Sequence, residues 1–441
     1  MKIIKSIFSL TLILLVLSVN TKLYAATEGK DSFEKNFGIG SAKMLVLVGH
    51  NSNVEILTGD NDEIKVWGEI THGEGSDEDI KNLVSAFKNI ESKRSGNTAN
   101  INLNHFIKSS VTNGKNTITL ASGEKISIKN ATISTSYKIW IPKNFNIELN
   151  HTYGSVNVAD IDGNLTLNLY STKFTTGNFG STGKFDMKYS RGSIGSGGNS
   201  TFKLYSCDLV NIKGLKNVSI DSKYSKLNIQ SAQSVKIDSY SDKLLFEQAA
   251  SFTFNAKYSE LRINSNIGSF TTNLYSSKIW AKDMSEVKFD AKYSEFRADN
   301  ISGLAISSSY SNKYMVGTIA TLSCTDSKYD DFKLSILTTS CNMRKAYSTK
   351  LNIEGTSASF SKFYGDFTYG SVYLKLHKDS GGINLKYNAK NGKTYKPRSW
   401  HYSKIDRSKD GSTIDFEGKT TPNAKATIEF TSYGADINIE E

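Results

Sequence analysis

The chain has 441 residues, with 54 Lys and Arg against 43 Asp and Glu, giving a formal net charge of +11. Its three cysteines, Cys207, Cys324 and Cys341, are too few for a disulfide framework. A regular supply of Phe, Ile, Leu and Val excludes a disordered chain, despite the many Gly, Ser and Asn.

At the N-terminus, Lys2 and Lys5 precede a run from Ile7 to Val19 broken only by Ser9, Thr11 and Ser18, and Ala25 and Ala26 follow. That order is a secretory signal, residues 1–25, with an apolar run too short to span a bilayer. No Cys follows the run to carry a lipid, and no later stretch is a transmembrane helix. The chain is therefore expected to be exported, to the periplasm or the cell surface. Losing Lys2, Lys5 and Lys22 with the signal brings the net charge from +11 to +8. Export removes nucleic acid as a target for this charge. It leaves anionic envelope glycan or another surface protein as partners, beside the plainer reading of a solvated lysine-rich surface.

Residues 26–135 read as an N-terminal α+β capping domain. Leu45 to Val48, Val54 to Leu57 and Ile64 to Ile70 alternate as strands. Ser76 then caps a helix whose apolar face is Ile80, Leu83, Val84 and Phe87, with acids in its first turn. Further strands follow at Ile101 and Leu103, Ile118 and Leu120, and Ile126 and Ile128.

Residues 136–390 are repetitive. Tyrosine, usually followed by Ser or Gly, recurs at 137, 153, 170, 189, 205, 224, 240, 258, 275, 293, 310, 329, 347 and 364, in steps of 16 to 19. Alternate steps are steadier, at 33 to 37. The flanks fall into two classes. Around Tyr224, Val218 and Ile220 precede and Leu227 and Ile229 follow; around Tyr240, Val235 and Ile237 precede and Leu244 and Phe246 follow. The first class also carries Lys directly before the tyrosine, at Lys188, Lys223, Lys257, Lys292 and Lys328.

Alternation on both sides of each tyrosine means strands with one buried face, and the change of phase across it demands an extra residue at a corner or bulge. No proline occurs from residue 143 to 396, which fits continuous sheet. Units that cannot bury their apolar face alone stack on copies of themselves. The expected fold is all-β, a right-handed parallel β-solenoid. The steadier double step favours a 35-residue coil over one of 17 to 18. On that reading Tyr189, Tyr224, Tyr258 and Tyr293 form one file of flat-stacked rings, and Tyr170, Tyr205, Tyr240 and Tyr275 form a second. Residues 391–441 read as a C-terminal rung and cap, with Ala426 to Phe430 and Ile437 to Ile439 bracketing Tyr433-Gly434.

The run Tyr137-Lys138-Ile139-Trp140-Ile141-Pro142 followed by Tyr153-Gly154-Ser155-Val156-Asn157-Val158, with the closing Thr431-Ser432-Tyr433-Gly434-Ala435-Asp436-Ile437, resembles the DUF4097 family. Its members are exported β-helices, common in Bacteroidetes, that carry an adhesin label drawn largely from their fold. Most corners here depart from the family pattern in being Tyr-Ser without glycine. The resemblance implies a non-catalytic envelope or surface protein.

No constellation for chemistry emerges. The six histidines are scattered without metal-ligand spacing, so neither a metal nor a cofactor is expected. No Gly-x-Ser-x-Gly elbow occurs, and the glycine-rich stretch Gly192 to Gly198 lacks the Lys-Ser/Thr of a phosphate loop. The closest acids, Asp330-Asp331 and Asp160 with Asp162, read as solvated turn residues rather than a glycosidase pair. The candidate binding platform is the first tyrosine file with Lys223, Lys257 and Lys292, locally paired to acids such as Glu260 and Glu295. Its plainer reading is a structural ladder. Cys324 and Cys341 sit at core parity, as buried thiols or as a disulfide. A carbohydrate-active β-helix enzyme and a ligand-free periplasmic scaffold, structural or stress-linked, are the competing functions.

Overall fold

The computed structural model describes residues 29–59, 62–112, 115–129, 133–379, 382–395, 400–408 and 412–441; the expected signal, residues 1–25, lies outside them. The body is a parallel β-solenoid of about 13 turns. Each strand bonds to the strand one turn later, about 17 or 18 residues on: Val218 lies level with Val235, Val235 with Phe252, and Phe252 with Phe270. The 35-residue coil is therefore corrected to half that length. One turn already holds enough inward residues to close a core, as Leu227, Ile229, Val235 and Ile237 do within a single coil, all at most 2% exposed.

Stacking makes columns of like side chains. One runs through Leu227, Leu244, Leu261, Ile279, Phe296, Tyr314 and Phe332. Near its end the rings of Tyr314 and Phe332 lie parallel, 4.3 Å apart. Each fully buried side chain of this size contributes roughly 1.5–3 kcal/mol.

The stack takes in segments far apart in sequence. Met44–Gly59 pairs in parallel with Asn146–Val158, and Ala426–Tyr433 with Lys362–Lys375. At both ends the parallel order gives way to antiparallel strands. Ser134–Pro142 pairs antiparallel with Glu63–His72, which pairs with Gly29–Gly38. At the far end Ile383–Lys390 pairs antiparallel with Thr413–Lys419. Such strands cover what would otherwise be an exposed parallel edge. The helix forms as expected over Asp77–Lys88, with the Ser76 hydroxyl accepting from the Asp79 amide and Leu83 and Phe87 buried.

Candidate functional site: one tyrosine edge

Every corner on the tyrosine edge holds a residue in the left-handed region, joined by the following glycine at Tyr153-Gly154 and Tyr369-Gly370, and its identity alternates. In Lys-Tyr-Ser coils it is the tyrosine: Tyr189, Tyr224, Tyr258 and Tyr293 have φ of 55–58°. In the intervening coils it is the serine after the tyrosine: Ser206, Ser241, Ser276 and Ser311 have φ of 48–56°. This is the extra residue that the change of phase demanded. It also merges the two expected files into one. Tyr224 donates its backbone N–H to the Tyr240 carbonyl, and Ser241 donates to that of Lys257. Rings therefore leave the backbone alternately from the left-handed residue and from the residue before it.

The result is a single uninterrupted file: Tyr153, Tyr170, Tyr189, Tyr205, Tyr224, Tyr240, Tyr258, Tyr275, Tyr293, Tyr310, Tyr329, Tyr347, Tyr369 and Tyr433. Successive centroids lie 5.3–5.7 Å apart. The His50 ring joins its first member. Neighbouring planes are inclined by 70–90°, so the packing is edge-to-face and not the flat stack expected, because alternate rings start from different backbone positions. Such contacts contribute about 0.5–1.5 kcal/mol each beyond area burial. Tyr137 is excluded, buried against Phe87 and His105. Tyr364 is replaced by Tyr369: Tyr364 lies on a strand, level with Asn342, while Tyr369 has the left-handed φ.

Beneath the rings, from Thr172 to Thr349, runs a buried polar column formed by the residue after each left-handed one. Backbone amides donate along it from coil to coil: Ser225 to the Asp242 carboxylate (2.7 Å), Asp242 to Ser259 Oγ (3.1 Å), Ser259 to Ser277 Oγ (3.1 Å) and Ser277 to Ser294 Oγ (3.1 Å). The series continues from Ser294 to Asn312 Oδ1 and from Asn312 to the Asp330 carboxylate, both 2.7 Å. Each serine hydroxyl in turn donates to the carbonyl two residues earlier, as Ser259 does to Lys257 at 3.0 Å. A small side chain that both accepts and donates suits this position, which is why serine follows the left-handed tyrosine. Left-handed geometry costs an L-residue about 1–2 kcal/mol. Ser241→Gly is accordingly expected to raise the unfolding free energy by about 0.5–1 kcal/mol and Ser241→Val to lower it by about 1–2 kcal/mol, read by denaturant titration.

The column corrects the reading of Asp330 as a solvated turn acid. Asp330 is 1% and Asp242 2% exposed, and both carboxylates accept only hydroxyl and amide hydrogens. Burial raises both pKa values, with the hydrogen bonds opposing. The folded state thus holds protons that the unfolded state releases. Their contribution to stability is fully present below the ordinary carboxyl pKa and is lost as pH rises through the raised folded values. Thermal midpoints measured upward from pH 4 should fall over that window, and less so in Asp242→Asn. By contrast Asp160 and Asp162 are exposed, Asp162 paired with Lys143 at 3.2 Å.

At the N-terminal end of the column His151 meets Ser52 Oγ at 3.1 Å and Thr172 Oγ1 at 3.3 Å. Burial first, then the nearby His50, lowers its pKa to about 4. This serine–histidine contact is closed to solvent, with Thr172 on the ring's far nitrogen, and is part of the corner. Near the helix a cleft of about 480 Å³ is lined by Glu91, Lys93 and His105 among others, with a single carboxylate. Among the described residues no group of three or more His, Cys, Asp or Glu side chains could hold a metal, and no helix is long and apolar enough to cross a membrane.

Lysine and tyrosine alternate along the edge: Tyr205, Lys223, Tyr240, Lys257, Tyr275, Lys292 and Tyr310 occupy successive levels of one column. The expected pairing of these lysines with Glu260 and Glu295 is not made. Those acids bond Arg262 and Arg297 on their own strands, and Lys223, Lys257 and Lys292 have no ion-pair partner among the described residues. Cys324 and Cys341 are free and buried, level with Met343 and Leu322 rather than with each other, so the disulfide alternative is not formed. Burial pushes the Cys324 thiol up to about 12.

No family model and no curated protein matches the chain. Among solved structures, one described as "a putative cell adhesion protein from Clostridium sporogenes" aligns over 93% of this chain and 99% of its own, at 9% identity and a TM-score of 0.17. A superposition that loose assigns neither fold nor function.

Proposed function

We propose that the protein is a non-catalytic, exported rod of the cell envelope or surface, an adhesin whose tyrosine edge binds glycan. Tyr189, Tyr224, Tyr258 and Tyr293, with Lys223, Lys257 and Lys292, form the platform, and Tyr170, Tyr205, Tyr240 and Tyr275 fill the levels between. The helix-bearing segment 26–135 and the tail 391–441 close the ends. The observation that carries this reading is the half-exposed file itself: Tyr189, Tyr224 and Tyr258 are each 51% exposed although their coils have ample apolar core. Aromatic faces beside unpaired cations suit sugar rings bearing acid groups. A glycan array probed with residues 26–441 tests it. Binding lost in a folded Tyr224→Ala/Tyr258→Ala variant is expected. Binding that survives removes the platform, and turnover of any polysaccharide overturns the non-catalytic reading.

A further inference from the structure

The edge has a repeat that a ligand could match. Its rings recur once per coil, at centroid steps of 5.5–5.6 Å between Tyr189 and Tyr293. Its unpaired lysines recur once per two coils, because lysine precedes the tyrosine only where that tyrosine is left-handed. With coils about 4.8 Å apart, the charge period is about 9.6 Å. The more exposed rings share it: left-handed Tyr224 and Tyr258 are 51% exposed against 37% for Tyr205 and Tyr275. Two sugar rings of an extended β-linked chain span nearly the same distance.

The flanking charges fix the track. On one side, Asp221 and Asp290 stand two residues before Lys223 and Lys292, a boundary an anionic chain would avoid. On the other, the strand after the corner presents Lys226 level with Lys243, with Asp208 on the level before and Glu260 on the level after. Further along that file, Glu260, Lys278, Glu295 and Lys313 alternate in sign and cancel. With that file of mixed sign, the unpaired positive charge along the track is that of Lys223, Lys257 and Lys292.

We propose that the tyrosine edge recognises an extended polysaccharide carrying one acid group on every second sugar, laid parallel to the solenoid axis, with a lysine at each charged sugar and a ring beneath each residue. This rests on the glycan-binding reading above and adds the spacing of the charge. The test is calorimetric titration of the full chain with oligosaccharides of matched length: hyaluronate, acidic on alternate sugars; polygalacturonate, acidic on all; and cellulose, acidic on none. Hyaluronate should bind about tenfold or more tighter than either, equivalent to about 1.4 kcal/mol. Lys223→Gln/Lys257→Gln/Lys292→Gln should remove that margin, while Lys278→Gln/Lys313→Gln should preserve it. Equal or tighter binding of polygalacturonate overturns the alternate spacing. Cellulose binding that depends on Tyr224 and Tyr258 but not on the lysines also overturns it and leaves the platform standing. Binding of none of the three overturns the spacing, and failure on the wider array as well would remove the platform.

Discussion

Phe254→Ala is expected to lower the unfolding free energy by about 3–5 kcal/mol, whereas Tyr258→Ala, four residues on in the same coil, should cost only about 1–2 kcal/mol. Phe254 is fully buried, level with Ile237 below and Thr272 above, so truncation leaves a cavity in a column that cannot collapse while the sheet ladders hold the coils apart. Tyr258 loses two edge-to-face contacts, with Tyr240 and Tyr275, but relinquishes no core. Urea titration of both variants measures the difference. Equal costs would mean that the tyrosine file is principally structural, and the case for it as a binding edge would weaken accordingly.

Deleting two adjacent coils should be tolerated where deleting one is not. Removal of residues 224–257 joins Lys223 to Tyr258, restores a Lys-Tyr-Ser corner and preserves the alternation of left-handed tyrosine and left-handed serine. Removal of residues 241–257 joins Tyr240 to Tyr258 and sets one left-handed tyrosine directly over another, Tyr258 over Tyr224. Rings leaving equivalent backbone positions at about 4.8 Å spacing cannot take the edge-to-face arrangement, and the surplus Tyr240 ring has no place in the file. The one-coil deletion should therefore be about 1–3 kcal/mol less stable than the two-coil deletion, measured by thermal or denaturant unfolding. The reverse order would contradict the alternating corner.

Much of this architecture was legible in the sequence, because period-two burial and a recurrent tyrosine leave few alternatives to stacked parallel coils. The coil length was not. Both classes read Tyr-Ser, and the difference between them is which of the two residues turns left-handed, a backbone property that the side chains do not announce. Lys223, Lys257 and Lys292 mark the tyrosine class, but as a correlate of the corner and not its cause. The buried column left a trace that could have been used: Thr172, Cys207, Asp242, Ser277, Asn312 and Thr349 share one offset from their tyrosines, and each is small and able to hydrogen-bond. Read singly, Asp330 looks like a turn acid; read in that series, it belongs inside. Tyr369 was also recoverable, since Tyr369-Gly370-Ser371-Val372 repeats Tyr153-Gly154-Ser155-Val156, whereas Tyr364 merely falls at the expected interval. Edge-to-face packing follows only from the alternation, so it could not precede it.

The stacking of single 17- to 18-residue coils, on which the one tyrosine file depends, is most directly tested by a distance. Lys173 and Lys350 face outward in one column, ten levels apart along the parallel ladders. Spin labels at Lys173→Cys and Lys350→Cys, with the three buried cysteines replaced, should give a double electron–electron resonance distance of about 48 Å. A distance near half of that, about 24 Å, would mean 35-residue coils and two separate tyrosine files.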